Sequence, residues 1–132
     1  DTIFTLLIHP MLTKAEEDKV NFSMIQVEFW DQRTKREAIL SDGVLEGVVY
    51  AIKMMVRSMD MVIPFQNNRV YIFALVDKKL AKEIGERVQT KSVQGGYIPK
   101  GINVQFRTYS FPKDARNRED FLKGCRLYLK EE

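Results

Sequence analysis

The chain lacks the residues for a disulfide: Cys125 is the only cysteine among 132 residues, which excludes an internal bridge and fits a reducing compartment. Histidine is as scarce. His9, the only one, follows an apolar stretch and precedes a proline, a setting for a structural role rather than for catalysis. No apolar run approaches the length of a membrane span and no signal-peptide pattern opens the sequence. The expected location is therefore cytoplasmic, with no membrane contact by this segment, and compatible with the cytosolic part of an inner-membrane protein anchored upstream. Internal repeats and low-complexity linkers are also missing. Lys and Arg number 21 against 18 Asp and Glu, a formal net charge of +3, and the basic residues are interleaved with acids rather than gathered. That pattern provides no electrostatic footprint for nucleic acid, so no nucleic-acid partner is expected. What is present is hydrophobic residue, 45% of the chain, enough for one packed core. Residues 1–132 read as a single domain in which 1–20 is a lead-in.

Changes in hydrophobic period divide the chain into elements. Residues 3–8 are apolar, Pro10 interrupts them and 14–19 are polar, a lead-in with some helix. Ile25, Val27 and Phe29 alternate with Met24, Gln26 and Glu28, the period of a strand over 22–30. Val44, Leu45, Val48, Val49, Ile52, Met55, Val56 and Met59 then recur at steps of three and four, an apolar stripe on a helix opening near Ser41-Asp42. The β-rich runs 61–65 and 70–76 predict a hairpin turned at Asn67-Asn68, because asparagine tolerates the positive φ of tight turns. Asp77 is placed to cap a helix whose buried face carries Leu80, Ala81, Ile84 and Val88. Gly95-Gly96 marks a loop. Ile102, Val104, Phe106 and Thr108 alternate in a strand that stops near Pro112, and Phe121, Leu122, Cys125, Tyr128 and Leu129 form a last amphipathic helix. Met54, Met55, Met59 and Met61 read as core filler, Cys125 as packing, and 113–118 as a solvated turn. The order contains a βαββαβ unit: an α+β, ferredoxin-like core whose central antiparallel sheet is flanked by helices, those of the core lying on one face.

Two short motifs carry chemistry. Arg57-Ser58-Met59-Asp60 sets a guanidinium fork three residues from a carboxylate, and Gln66-Asn67-Asn68-Arg69 follows in the hairpin. With the element order, they resemble the GGDEF domain of diguanylate cyclases, which make cyclic di-GMP from two GTP molecules. The resemblance covers nearly the whole chain. Asp1-Thr2-Ile3-Phe4-Thr5 is similar to the family's opening DxLT stretch, and 22–28 to its first strand, which ends in a metal-binding aspartate. Gly85-Glu86-Arg87-Val88 resembles its AERI helix, and Ser110-Phe111-Pro112 its SFP turn.

The resemblance implies a site that has lost its reaction. Joining two nucleotides needs Mg²⁺ held by converging acids, and only Glu28 stands at such a position. The glycines of the signature hairpin are replaced by Gln66 and Asn67 and its acids by Asn68 and Arg69. The segment between Glu28 and Asp42 is short and has no match for the asparagine that contacts guanine. No catalytic residue, metal site or cofactor is therefore expected. The product-binding site is what the resemblance retains: Arg57 and Asp60 match the inhibitory RxxD motif, and Arg87 matches an assisting arginine on the neighbouring helix. An arginine fork can donate to guanine O6 and N7 or to phosphate, and an aspartate can accept from the base's other edge.

Three readings follow. The first is a catalytically inactive GGDEF-type domain that binds cyclic di-GMP through Arg57, Asp60 and Arg87 and relays occupancy to a protein partner or an upstream sensory domain. A retained RxxD beside a degenerate signature is also similar to PelD-type receptors, which would set the output in exopolysaccharide export. The second is a ligand-free interaction or dimerisation module derived from a cyclase. The third is an enzyme that turns over GTP or another nucleotide through an altered site containing Glu28.

Overall fold

The computed structural model describes residues 2–117 and 119–124. Its elements are α1 (Thr2–Asp18), β1 (Phe22–Asp31), α2 (Asp42–Met55), β2 (Met61–Phe65), β3 (Arg69–Ala74), α3 (Lys78–Gln94) and β4 (Ile102–Phe111), and residues 119–124 are helical. Pro10 lies inside α1 without ending it, so the lead-in is one helix of 17 residues. Of the expected last helix, Cys125, Tyr128 and Leu129 lie outside the described residues.

The four strands form one antiparallel sheet in the order β2-β3-β1-β4. This is the ferredoxin-like order: β3 is inserted between β1 and β2, and α2 and α3 bridge the split pairs. Both helices start at side-chain caps. Ser41 Oγ accepts from the amide of Val44 and Asp77 Oδ1 from that of Leu80, each satisfying a donor that the helix itself leaves open.

The sheet separates two cores. One face carries Ile25, Val27, Phe29, Val70 and Ile72 against Val48 and Ile52 of α2 and Ala81, Ile84 and Val88 of α3. The other carries Phe22, Met24, Tyr71 and Phe73 against Ile8, Leu12 and Ala15 of α1, and Phe121 closes it by packing on Phe22. The core helices lie on one face as expected, and the lead-in covers the other. That cover buries both faces of β1, from Phe22 to Phe29, so its sequence alternation does not divide inside from outside.

Several local expectations are corrected. Helix α2 ends at Met55 with Val56 as its cap, so Met59 falls beyond the apolar stripe and is 63% exposed. Met54 is exposed as well, which removes two of the four methionines from the core. Leu80, in the first turn of α3, is partly exposed, and the inward positions at that end are Ala81 and Ile84. In the β2–β3 hairpin the positive φ belongs to Gln66, at 52°, rather than to Asn67 or Asn68. The asparagine side chains are used for tethering instead of turning.

Candidate functional site

Two neighbourhoods hold the residues singled out by sequence. The first is the tip of the β2–β3 hairpin with the end of β1, where a cyclase would hold metal and triphosphate. Here Glu28 is 2% exposed and its carboxylate is fully engaged. Oε1 accepts from Gln26 Nε2 at 3.0 Å and pairs with Arg107 Nε at 2.9 Å, and Oε2 accepts from Trp30 Nε1 at 3.0 Å. Its cross-strand neighbour is Arg69.

Arg69 is buried, at 1% exposed, and binds Glu37 Oε1 at 2.7 Å. Burial opposes its charge, but hydrogen bonds with Glu37 and Tyr71 outweigh that penalty and raise its pKa above the usual arginine value. Asn68 Nδ2 donates to the other Glu37 oxygen at 2.8 Å. Asn67 Nδ2 donates to the Leu40 carbonyl at 2.7 Å and to Asp42 Oδ1 at 2.8 Å, and the Leu40 amide returns a bond to the Asn67 carbonyl. The hairpin tip is thus clasped to residues 37–42. Arg69, which stands where the resemblance sets one of the signature's acids, is an internal ion-pair partner. Glu37, which neutralises it, has no counterpart in any motif and was missed, because the turn closed by Asp31 and the Trp30–Glu37 bridge fold it back across β1. This donor set does not fit a divalent cation: the one acid at the expected position already serves three protein donors, and a guanidinium lies in the next strand. Among the described residues, no three His, Cys, Asp or Glu side chains converge as a metal cluster.

The second neighbourhood lies where α2 ends and α3 passes. The chain turns sharply after Val56, closed by the Asp60 amide on the Arg57 carbonyl. Asp60 Oδ2 accepts from the Arg57 amide at 2.9 Å and Oδ1 from Arg57 Nη2 at 3.1 Å. The Asp60 side chain is 1% exposed, whereas that of Arg57 is 49% exposed. The carboxylate therefore acts as the anchor and the guanidinium as the displayed group. Arg87, on α3, reaches across to the Met55 carbonyl at 3.3 Å. Arg57, Asp60 and Arg87 line one cavity of about 180 Å³ together with Val76, Leu80 and Ile84. The exposure of Leu80 is explained by this position in the cavity wall. Two cations over an apolar floor, one of them oriented by a buried acid, suit a flat ligand with an anionic edge.

The likeness to known proteins can now be weighed. The structure of the GGDEF domain of YfiN (TpbB) from Pseudomonas aeruginosa matches with a TM-score of 0.73 at 13% identity, over 96% of this chain and 84% of that one. This chain has the GGDEF fold. The GGDEF domain of DgcB from Caulobacter crescentus, solved in complex with c-di-GMP, matches with a TM-score of 0.67 at 11% identity, over 97% of this chain and 82% of that one. An apo PelD fragment from Pseudomonas aeruginosa matches with a TM-score of 0.59 at 16% identity, over 98% of this chain and 45% of the fragment. No protein-family model and no curated protein matches the sequence. The GGDEF-fold chain contains, among its described residues, no helix long and apolar enough to cross a membrane.

Proposed function

We propose that this GGDEF-fold domain is a catalytically inactive receptor for cyclic di-GMP, bound through Arg57 and Arg87 with Asp60 holding Arg57 in place. The observation that carries the reading is the shared cavity: two guanidinium groups from different elements border one hollow, beside a buried carboxylate. The DgcB domain, solved with c-di-GMP, offers a precedent for that ligand on this fold. Inactivity is supported by the hairpin tip, where the carboxylate of Glu28 is already engaged by Arg107 and the guanidinium of Arg69 is paired with Glu37, which leaves neither side chain suited to holding a cation.

At about 180 Å³ the hollow is smaller than the roughly 300 Å³ at which clefts begin to enclose a small ligand. A cyclic dinucleotide therefore lies across it, inserting one guanine edge or phosphate between the arginines, with the rest outside. Asp60 keeps its oxygens on Arg57 in this pose and acts by orientation rather than by accepting from the base. Occupancy would tie the end of α2 to α3, a movement that a partner or attached domain could read; exopolysaccharide export is one such output.

Calorimetric titration with cyclic di-GMP tests the assignment. Charge-assisted hydrogen bonds contribute roughly 1.5–3 kcal/mol each, so Arg57→Ala and Arg87→Ala should each weaken binding at least about tenfold. Heat absent from the native chain, or affinity unchanged in both variants, would sink the receptor reading. Incubation with GTP and Mg²⁺ or Mn²⁺ tests the other half: a dinucleotide product that disappears in Glu28→Gln would reinstate an enzyme.

A further inference from the structure

Helix α2 packs on the sheet through Val48, Ala51 and Ile52, and its opposite side carries Gly43, Glu46, Gly47, Tyr50, Lys53 and Met54. Tyr50 is 60% and Met54 72% exposed, large apolar areas for positions that the domain itself leaves uncovered. Beside Tyr50, the helix and edge strand β2 form a mainly apolar groove of about 270 Å³ along Leu45, Val49 and Pro64, with Glu46 and Lys53 also in its wall. Nothing in the chain requires glycine here: a Cβ at position 43 or 47 would meet no atom within 4 Å. Glycine inside a helix nevertheless costs about 1 kcal/mol relative to alanine.

We infer that this face of α2 pairs antiparallel, about a two-fold axis, with the same face of a second copy of the chain. The argument is self-complementarity. In such a pair, whatever residue i meets, its symmetry mate meets in return. Gly43 and Gly47 are one helical turn apart and so are Tyr50 and Met54, so the register that seats Tyr50 in the notch at Gly47 also seats Met54 at Gly43. In that register Glu46 of each copy comes within about two residues, roughly 3 Å along the axis, of Lys53 of the other. A parallel pairing would instead carry Glu46 and Lys53 of the two copies to opposite flanks of the seam, each level with its own kind and away from the opposite charge. The charges thus select the antiparallel arrangement, and the glycines let the backbones approach. A helix of this length, about 21 Å, offers less than the roughly 800 Å² per partner of a standard stable interface. The dimer is accordingly concentration-dependent, and it does not depend on the ligand site at Arg57.

Sedimentation velocity on the chain over a concentration series is the test. A monomer–dimer equilibrium is expected, weakened about tenfold or more by Glu46→Lys or by Lys53→Glu and restored when the two reversals are combined. Gly47→Leu, which fills the notch with a good helix former, should abolish the dimer while circular dichroism retains the native helix signal. A chain that stays monomeric at every soluble concentration overturns the inference. So does a dimer indifferent to both charge reversals and to Gly47→Leu, since another face would then hold it.

Discussion

Arg69 and Arg57 show how one residue type takes opposite roles according to its neighbours. Arg69 is buried against Glu37, and a buried pair is strongly sensitive to losing one member because the other keeps an uncompensated charge. Arg69→Ala should destabilise the domain by about 3 kcal/mol, whereas Arg69→Met combined with Glu37→Gln should recover most of that; urea unfolding of the three chains separates the cases. Arg57 is half exposed, and its removal leaves the buried Asp60 carboxylate with the bond from the Arg57 amide, so Arg57→Ala should cost less stability than Arg69→Ala while also acting on the ligand. Asp31 gives a pH effect of known sign. Amides of Thr34 and Arg33 donate to its carboxylate and hold its pKa below the ordinary 3.8. A pKa depressed by folding gives stability that is present above the unfolded value and lost as the pH falls through the folded one. An NMR titration should place the Asp31 midpoint below 3.8, and Asp31→Asn should flatten the acid side of the stability profile. The resemblance to GGDEF domains singled out Arg57, Asp60 and Arg87, and the structure sets all three around one cavity. The sequence could not assign Arg69, because a basic residue in a hairpin has the same letter whether it faces solvent, metal or Glu37.

At the scale of elements, two helical glycines separate packing from surface. A Cβ on Gly85 would overlap the ring of Phe106, so α3 can lie this close to β4 only without a side chain there. Gly85→Ala should cost about 1–3 kcal/mol through overpacking. Gly47→Ala meets nothing and should stabilise the monomer by about 1 kcal/mol; thermal melts of dilute protein distinguish the two. The caps were legible beforehand, since Ser41 and Asp77 precede runs of helical period, and Ser41→Ala should cost about 1 kcal/mol. The turn at Gln66 was not legible. Its positive φ follows from Asn67 and Asn68 being drawn to Leu40, Asp42 and Glu37, contacts 25 or more residues away in sequence. The exposed position of Met59 has a similar origin: the Arg57–Asp60 turn interrupts a stripe that periodicity alone would continue.

For the molecule as a whole, β1 is the axis. It pairs with β3 on one side and β4 on the other, and both of its faces are covered. Its amides should exchange most slowly with deuterium, and those of edge strand β2, which contains Pro64, markedly faster. A uniform exchange rate across the four strands would contradict this hierarchy. Placing α2 and α3 together on one face is also what brings Arg87 to the turn after α2, although 26 residues lie between Asp60 and Arg87.

The order of elements, the caps and the RxxD spacing were determined by sequence, because period, cap chemistry and motif offsets are local properties. Tertiary structure alone decided that α1 covers the second face, that Glu37 neutralises Arg69, and that Asp60 is buried while Arg57 is displayed. Each of those outcomes depends on surfaces distant in the chain competing for the same space and the same charge. No local pattern encodes that competition.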